Sequence, residues 1–260
     1  MKILITGING TIGSQLKKYL ESHGHDVIGW NRNEIPIDNY SVMLNYVNSV
    51  QPDVIYHLAI ASKPTGKENE SWLVNYEWTS ELAWITKILN IKFIFVSSAM
   101  VFSDFSVGPF TIYSEPDAQS GYGYEKRMAE KRAVYQNSNS VILRLGWQIG
   151  TEPDSNNMID FIEREVKEKG EIKASTKWFP ACSFLDDTIS VLDKSREYYP
   201  GIYQVDSNKK WTFFEIVSAL NLVHGNHWKV VPTEDFIYDQ RLIDDRIHIK
   251  SLNSHLKTLH

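Results

Sequence analysis

Short apolar runs alternate with amphipathic stretches along the first 150 residues of the chain. The apolar runs predict buried strands at residues 2–7, 26–30, 53–59, 92–98 and 140–146. Between them, apolar side chains recur at helical spacing from Thr11 to Gly24 and over residues 40–50, 71–89 and 122–136. Strands that are apolar throughout and alternate with such helices predict a parallel sheet covered on both faces. Because crossover connections are right-handed, the predicted fold class is α/β, with a doubly wound parallel sheet.

This regular alternation ends near residue 150. Residues 156–170 predict an amphipathic helix, residues 181–199 a strand end followed by a helix, and residues 201–206 a strand. A further helix is predicted at residues 211–220. We therefore expect a main domain over residues 1–150 with a return segment near 183–205. Residues 151–182 and 206–260 are expected to form a smaller, substrate-binding lobe.

The composition limits the classes of partner. The 260-residue chain carries a net charge of −5 and no basic run, which argues against nucleic acid or an anionic membrane as partner. Its one cysteine, Cys182, cannot form an internal disulfide and has no Cys or His at metal-ligand spacing, so we expect no metal site. The apolar N-terminal run is too short for a signal peptide, and no segment approaches the ~18 apolar residues of a membrane span. We expect a soluble, cytoplasmic protein.

The sequence GINGTIG joins the first predicted strand to the first predicted helix. Its three glycines would allow a tight turn, close approach of the backbone to a pyrophosphate, and packing of the helix on the strand. The spacing is G-x-x-G-x-x-G, and the strand–turn–helix context makes it a stronger signal than glycines alone. Residues 1–150 are therefore predicted to be an NAD(P)-binding Rossmann domain. The predicted cofactor contacts in this loop are Gly7, Asn9, Gly10, Thr11, Ile12 and Gly13.

The end of the second predicted strand bears on the choice of cofactor. A carboxylate there would bind the ribose 2′-hydroxyl of NAD, whereas an arginine accommodates the 2′-phosphate of NADP. Trp30 occupies the expected carboxylate position, and Asn31 and Arg32 follow it. Glu34 is the one acid nearby, and we expect it to lie beyond the strand. This pattern favours NADP(H) and leaves NAD(H) open, with Asn31 and Arg32 as cofactor contacts.

A tyrosine and a lysine share one face of the predicted helix at residues 122–136. Tyr122 and Lys126 are four residues apart and can meet, whereas Tyr124 points elsewhere. A nearby ammonium stabilises phenolate, so the Tyr122 phenol could exchange a proton with a carbonyl or an alcohol. Ser97 and Ser98 end the strand at 92–98, where open α/β sheets bind ligands, and could hold the substrate oxygen.

Together with the glycine loop, these residues resemble the extended short-chain dehydrogenase/reductases, which act on nucleotide sugars. The segment YGYEKRMAE matches the family's Y-x-x-x-K-x-x-x-E run. The resemblance implies that Tyr122 is the acid/base, that Lys126 holds the ribose hydroxyls and lowers the phenol pKa, and that Ser98 holds the substrate carbonyl. Glu130 matches the last acid of the run and is expected to be structural. The segment at 57–59 resembles a cofactor-contacting motif, which adds as candidates Leu58, Ala59 and Ile60.

Within this family, the C-terminal third resembles the dTDP-4-dehydrorhamnose reductases. The segment RLGWQIG is similar to their R-T-S-W-V-Y-G segment, so Trp147 is expected to line the sugar site. Two segments depart from the pattern: Ala99 stands where the reductases carry an acid, and WFPACS at 178–183 replaces a Q-x-G-x-P-T-like segment. The missing acids after Ser98 argue against a 4,6-dehydratase. The expected substrate contacts are Ser98, Ala99, Tyr122 and Trp147.

These patterns predict an NADPH-dependent reductase of a nucleotide-linked 4-keto-6-deoxy sugar. Two alternatives stay open. The SSA text also resembles nucleotide-sugar 4-epimerases, and the altered recognition segments would suit a non-catalytic NAD(P)-binding regulatory subunit. The helix before Asn90 is a common dimer surface in the family, so the resemblance allows a homodimer.

Overall fold

The chain divides into two compact units. The computed structural model describes residues 1–62, 65–150 and 155–259. Unit 1 comprises Met1–Ser103, Pro116–Arg144 and Leu192–Tyr203, and unit 2 comprises Asp104–Glu115, Leu145–Val191 and Gln204–His260. The expected start of the smaller lobe, residues 151–154, lies outside the described residues.

These units differ from the expected domains at three segments of the chain. Residues 104–115 and 145–150 belong to unit 2, and 192–203 is the only part of the expected return segment that belongs to unit 1. Strand pairing explains the difference. Phe110–Thr111 pairs with Leu242–Ile243, and Trp147–Ile149 pairs with Cys182–Phe184.

The strands begin and end close to the predicted apolar runs in unit 1 and are shorter in unit 2. In chain order they are β1 (Lys2–Thr6), β2 (Asp26–Gly29), β3 (Val54–His57), β4 (Lys92–Ser98), β5 (Phe110–Thr111), β6 (Val141–Leu145), β7 (Trp147–Ile149), β8 (Ile172–Ser175), β9 (Trp178–Phe179), β10 (Cys182–Phe184), β11 (Gly201–Val205), β12 (Val230–Thr233), β13 (Tyr238–Asp239) and β14 (Leu242–Ile243).

The helices occupy the amphipathic stretches. They are α1 (Thr11–Ser22), α2 (Tyr40–Val50), α3 (Glu70–Trp72), α4 (Trp78–Ile88), α5 (Gly121–Gln136), α6 (Met158–Lys169), α7 (Leu185–Lys194) and α8 (Phe213–Val223). The predicted single helix at 71–89 is wrong in one detail, because a π-helical turn at Leu73–Glu77 separates α3 from α4. A π turn is rare and occurs often at functional sites.

A six-stranded parallel sheet forms the centre of unit 1, and its strand order is β11-β6-β4-β3-β1-β2. The register pairs Thr6 at the end of β1 with His57 at the end of β3. The central strands are buried on both faces, with Ile3, Leu4 and Ile5 fully inaccessible to solvent, as their continuous apolar sequence requires. The predicted doubly wound α/β fold is confirmed.

The described residues of unit 2 form short parallel strand pairs, the helices α6 and α8, and most of α7. The pairs are β7 with β10, β8 with β12, β9 with β13, and β5 with β14. Its core packs Ile162 of α6, Ile172 of β8 and Ile216 of α8. Cys182 is fully buried in this core, and burial followed by the charge of Asp206 raises the pKa of its thiol well above the usual value.

Candidate functional site

The glycine loop forms a close-packed turn between β1 and α1. Gly7 has a φ of +70°, and a methyl group in its place would lie 2.9 Å from the Cα atom of Ala59. At Gly13 a methyl group would lie 2.2 Å from the carbonyl oxygen of Gly7, so a side chain there would separate the helix from the loop. Helix α1 begins after Gly10 without a side-chain cap, which leaves its first N–H groups available to an anion. Asn9 is exposed in this turn, and Thr11 and Ile12 begin the helix.

His57 holds the ends of β1 and β3 together beneath this loop. Its Nδ1 lies 2.8 Å from the Thr6 hydroxyl and its Nε2 lies 2.9 Å from the Thr79 hydroxyl. The Thr6 hydroxyl also accepts hydrogen bonds from the backbone N–H groups of Leu58 and Ala59. Burial, then the charge of Lys126, lowers the pKa of His57 well below its usual value. The imidazole is therefore neutral and fixes the segment that includes Leu58, Ala59 and the partly exposed Ile60.

The end of β2 carries no carboxylate at the position that would select NAD. Trp30 is buried there, and its indole N–H donates to the carbonyl of Ile35. Asn31 and Arg32 follow as exposed residues. The Arg32 guanidinium lies 3.8 Å from a carboxylate oxygen of Glu70. Arg32 is therefore a partly paired cation that follows the end of β2.

Ser98 and Tyr122 meet at the end of β4. Burial raises the pKa of the Tyr122 phenol, and a hydrogen bond with the Ser98 side chain partly offsets that rise. The Ser98 hydroxyl also accepts from the backbone N–H of Met100 at 3.1 Å, which orients it. Ser97 is turned away into the interior, and its hydroxyl has no hydrogen-bond partner among the described residues. Ala99 is buried, with 2% of its surface exposed.

Lys126 lies fully buried beside this pair. Its Nζ donates to the carbonyl of Val96 at 3.0 Å and lies 4.5 Å from the Phe95 ring centroid and 5.8 Å from that of Tyr122. Burial lowers the pKa of Lys126 to about 7, against the opposing effect of Glu130 and Glu125. Because this pKa is close to neutral pH, small changes around Lys126 can change its charge, and the charge of Lys126 affects the electrostatic field at Tyr122.

The π turn ties α5 to the segment after β3. Glu125, on α5, accepts hydrogen bonds from the Ser71 hydroxyl and the Asn75 side-chain amide, each at 2.7 Å. The Asn75 side-chain oxygen accepts from the backbone N–H of Ala61. Glu125 therefore links α5, through Asn75, to the segment that follows β3. Sequence reasoning missed it, although its place beside Lys126 in YGYEK was the available signal.

Glu130 and Arg144 form a buried, two-pronged ion pair beneath α5. The Nε and Nη2 atoms of Arg144 donate to the two carboxylate oxygens at 3.0 and 2.8 Å. Both side chains are at most 4% exposed. The guanidinium also lies over the Phe102 ring, 5.1 Å from its centroid. The pair joins α5 to β6 and holds the helix that carries Tyr122 and Lys126.

Two other residues of the predicted site region have clear positions within their own units. In unit 1, Tyr124 stacks on Trp72 with centroids 6.2 Å apart, away from Lys126 as its helical spacing predicts. Gly123 was not anticipated: a methyl group there would lie 2.1 Å from the carbonyl oxygen of Met100. In unit 2, Trp147 packs among aromatic rings, 5.2 Å from Phe161 and 6.3 Å from Trp178 between centroids.

Within residues 1–62, 65–150 and 155–259, no group of three or more His, Cys, Asp or Glu side chains is arranged to hold a metal ion. Over the same ranges, no helix is long and apolar enough to cross a membrane.

Comparison with known proteins identifies the family. The family model described as RmlD substrate binding domain matches residues 1–218. The chain belongs to this family. The predicted membership of the extended short-chain dehydrogenase/reductases, close to the dTDP-4-dehydrorhamnose reductases, is thereby confirmed.

Individual relatives are distant but match along most of their length. The spore coat polysaccharide biosynthesis protein SpsK of Bacillus subtilis is 22% identical over 240 residues, which cover 90% of this chain and 84% of the relative. A dTDP-4-dehydrorhamnose reductase of Burkholderia thailandensis is 25% identical over 246 residues, 89% of this chain and 80% of the relative. The crystal structure of dTDP-4-dehydrorhamnose reductase from Bacillus anthracis, in complex with NADP, superposes with a TM-score of 0.83 at 21% identity, covering 99% of this chain and 97% of that one. At this identity the superposition shows the fold.

Proposed function

We propose that the protein is an NADPH-dependent oxidoreductase that reduces the 4-keto group of a nucleotide-linked 4-keto-6-deoxy sugar. The observation that carries the proposal is the meeting of Ser98, Tyr122 and Lys126 at the end of β4. It is supported by the family and by the activity named for relatives such as the Burkholderia reductase.

The glycine loop fits a dinucleotide. Gly7 and Gly13 allow a turn so tight that a methyl group at either position would collide with the backbone, and the uncapped start of α1 offers N–H groups to a pyrophosphate. Arg32, with no carboxylate at position 30, fits a 2′-phosphate better than a 2′-hydroxyl, and NADP is bound in the Bacillus anthracis structure. Leu58, Ala59 and Ile60 would contact the cofactor beside the loop. When bound, the cofactor would supply the hydride.

The chain's own residues manage the proton. Tyr122 has a pKa raised by burial, so its phenol is protonated in the free protein and can donate to a carbonyl oxygen. Ser98, fixed by the N–H of Met100, would hold the same oxygen by a hydrogen bond. Lys126 would bind the ribose hydroxyls and, once charged, would draw the phenol pKa down. Ala99 and Trp147 are proposed as substrate contacts, and the buried position of Ala99 limits it to shaping the wall of the site.

The direct test measures the loss of NADPH absorbance against a panel of nucleotide-linked 4-keto-6-deoxy sugars. NADH and the Tyr122→Phe variant run in parallel. We expect turnover with at least one sugar and a fall of at least about a hundredfold in kcat for the variant, because general acid catalysis supplies that much. The Tyr124→Phe variant is the matched control, since Tyr124 packs on Trp72, and it should retain activity.

The alternatives give different results in the same assay. NADPH binding without oxidation by any panel member would overturn the reductase proposal. Interconversion of a nucleotide sugar with its 4-epimer would favour an epimerase, to which the SSA text is also suited. Binding of cofactor with neither reaction would favour a regulatory subunit.

A homodimer is proposed as the assembly. Helix α4 exposes Trp84 by 41% and Ile88 by 46%, and α5 exposes Val134 by 44% and Tyr135 by 80%. Large apolar side chains on adjacent helices are typical of a contact surface. Light scattering over a series of protein concentrations tests this assembly by measuring the molar mass. The protein is expected in the cytoplasm.

A further inference from the structure

Glu125 is an acidic residue beside Lys126 that the family's motif does not require. It occupies an unspecified position of the Y-x-x-x-K-x-x-x-E run. One oxygen of its half-buried carboxylate accepts hydrogen bonds from the Ser71 hydroxyl and the Asn75 side-chain amide. Among the described residues, no lysine, arginine or histidine forms an ion pair with this carboxylate. Its negative charge is therefore held by neutral donors and is not balanced by a bound cation.

The donor Asn75 is itself fixed within unit 1. Its side chain is buried, and its side-chain oxygen accepts from the backbone N–H of Ala61 at 3.2 Å. Its backbone carbonyl accepts from the Thr79 hydroxyl at 3.1 Å. A side chain held from several directions keeps the carboxylate that it binds in one place. Glu125 therefore acts on its surroundings as a charge of fixed position, which is the arrangement that makes an electrostatic effect strong.

The buried Lys126 ammonium is the group on which this charge acts. Burial lowers the pKa of Lys126 to about 7, and Glu130 followed by Glu125 opposes that lowering. Glu130 is bound by both prongs of Arg144, so a guanidinium balances its charge. His57, which faces Lys126 from β3, has a pKa lowered by burial and is neutral. Within the described chain, α4 and the π turn pack against α5 but add no charged group that acts on Lys126. Glu125 is thus the unbalanced carboxylate beside the ammonium.

The same carboxylate acts on the Tyr122 phenol. Burial raises the pKa of Tyr122, the hydrogen bond with Ser98 lowers it, and the charge of Glu125 raises it. A negative charge therefore favours the protonated form of both the phenol and the ammonium. Reduction of a carbonyl needs both protons in place, because the phenol is the donor and the charged lysine draws the phenol pKa down.

We propose that Glu125 is a positioning residue of the proposed reductase, whose carboxylate, fixed by Ser71 and Asn75, is the counter-charge of the Lys126 ammonium. The inference rests on the proposed function for the identity of the reaction. It goes beyond that function by giving a residue outside the set of Ser98, Tyr122 and Lys126 control over the pH range in which reduction proceeds.

The pH dependence of turnover separates the charge of Glu125 from its hydrogen bonds. Glu125→Gln removes the charge and keeps an oxygen that can accept from Ser71 and Asn75. With the sugar that is reduced fastest, the alkaline limb of kcat/KM should move down by about one pH unit in this variant, because Lys126 has lost a nearby opposite charge. Ser71→Ala removes one hydrogen bond and keeps the charge, so its limb should stay close to that of the wild type. Glu77→Gln, an exposed carboxylate on the π turn, is the matched control and should leave the profile unchanged.

The stability of the protein gives a second measurement that needs no turnover. The pKa of Lys126 is about 7 in the folded protein and about 10.4 in an unfolded chain, so stability falls as the pH decreases towards 7 and is level below it. In Glu125→Gln the folded pKa should be about one unit lower, so stability falls for a further pH unit. The ratio of the unfolding constants of Glu125→Gln and wild type, from urea curves, should therefore grow about tenfold from about pH 8.5 to about pH 5.5. Glu77→Gln should show no such growth.

Two results would overturn the inference. An unshifted limb in Glu125→Gln, or a ratio of unfolding constants that is the same at both pH values, would show that Glu125 acts through its hydrogen bonds alone. A shift in Ser71→Ala as large as that in Glu125→Gln would have the same meaning. If no sugar of the panel is reduced, the proposed function fails by itself, and the stability series still decides whether Glu125 is the counter-charge of Lys126.

Discussion

Removing Arg144 should destabilise the protein more than removing any exposed ion pair. The Arg144→Met variant leaves the Glu130 carboxylate in a pocket where the side chain is 3% exposed, with two of its hydrogen bonds gone. Breaking one side of such a buried pair costs about 3–5 kcal/mol, because the remaining charge is desolvated without compensation. Domains are stable by roughly 5–15 kcal/mol, so the variant should still fold.

The same reasoning predicts how the double variant behaves. Glu130→Leu with Arg144→Met replaces the pair by apolar side chains, and its stability should lie within about 1 kcal/mol of the wild type or above it. The two single variants should therefore not add, and the coupling should reach about 3 kcal/mol or more. Urea unfolding measures the free energy of unfolding of the wild type, the two single variants and the double variant. The dependence of that free energy on urea concentration should be the same in all four proteins.

The exposed pair Lys17–Glu21, 3.8 Å apart, is the control, and Lys17→Met should cost less than about 1 kcal/mol. A cost below about 1 kcal/mol for Arg144→Met, or additive single variants, would refute this account.

Three further predictions concern single residues. Burial lowers the pKa of Lys126 to about 7, so above about pH 7 the folded state binds fewer protons than the unfolded state. The free energy of unfolding of the wild type should therefore rise with pH by up to about 1.4 kcal/mol per pH unit relative to that of Lys126→Met. If urea unfolding gives both proteins the same dependence on pH from about pH 7 to 10, the prediction is contradicted. The Asp206 carboxylate accepts hydrogen bonds from the backbone N–H groups of Cys182, Asn208 and Leu242 at 3.0, 2.8 and 2.9 Å. Asp206→Asn should lower the free energy of unfolding by about 1–3 kcal/mol, because the new amide leaves one buried donor without an acceptor. An unchanged melting curve would count against these contacts. Glu70→Gln should free the Arg32 guanidinium and raise the ratio of the affinities for 2′,5′-ADP and 5′-AMP, measured by calorimetry, by about two- to fivefold. An unchanged affinity ratio would show that Glu70 has no part in the choice of cofactor.

The parts of unit 1 that could be predicted are those set by local periodicity. The strand at 92–98 and the helix at 40–50 lie where their apolar patterns place them. The π turn could not be predicted, because Leu73–Glu77 keeps helical apolar spacing and only the tertiary contacts of Asn75 reveal the wider turn. The pairing of Tyr122 with Lys126 could be predicted because one helix carries both residues.

Unit 2 was less predictable because its contacts join segments far apart in the sequence. Strands β9 and β13 are two residues long and pair Trp178 with Tyr238, a separation that no local pattern encodes. The same holds for β5 and β14, which draw residues 104–115 into unit 2. Glu130 was expected to be structural from its motif, but its partner Arg144 lies on a strand, outside the helical spacing that sequence reasoning uses.

The lone thiol gives the chain a built-in reporter of opening. Cys182 is inaccessible in the core of unit 2, and its raised pKa leaves almost no thiolate at neutral pH. A maleimide or disulfide reagent can therefore label the native protein only during excursions that expose β10, and labelling proceeds at the frequency of those excursions. Because the described chain holds this single cysteine, each modified molecule records one opening event, and ligands that close unit 2 can be ranked by how far they slow the reaction.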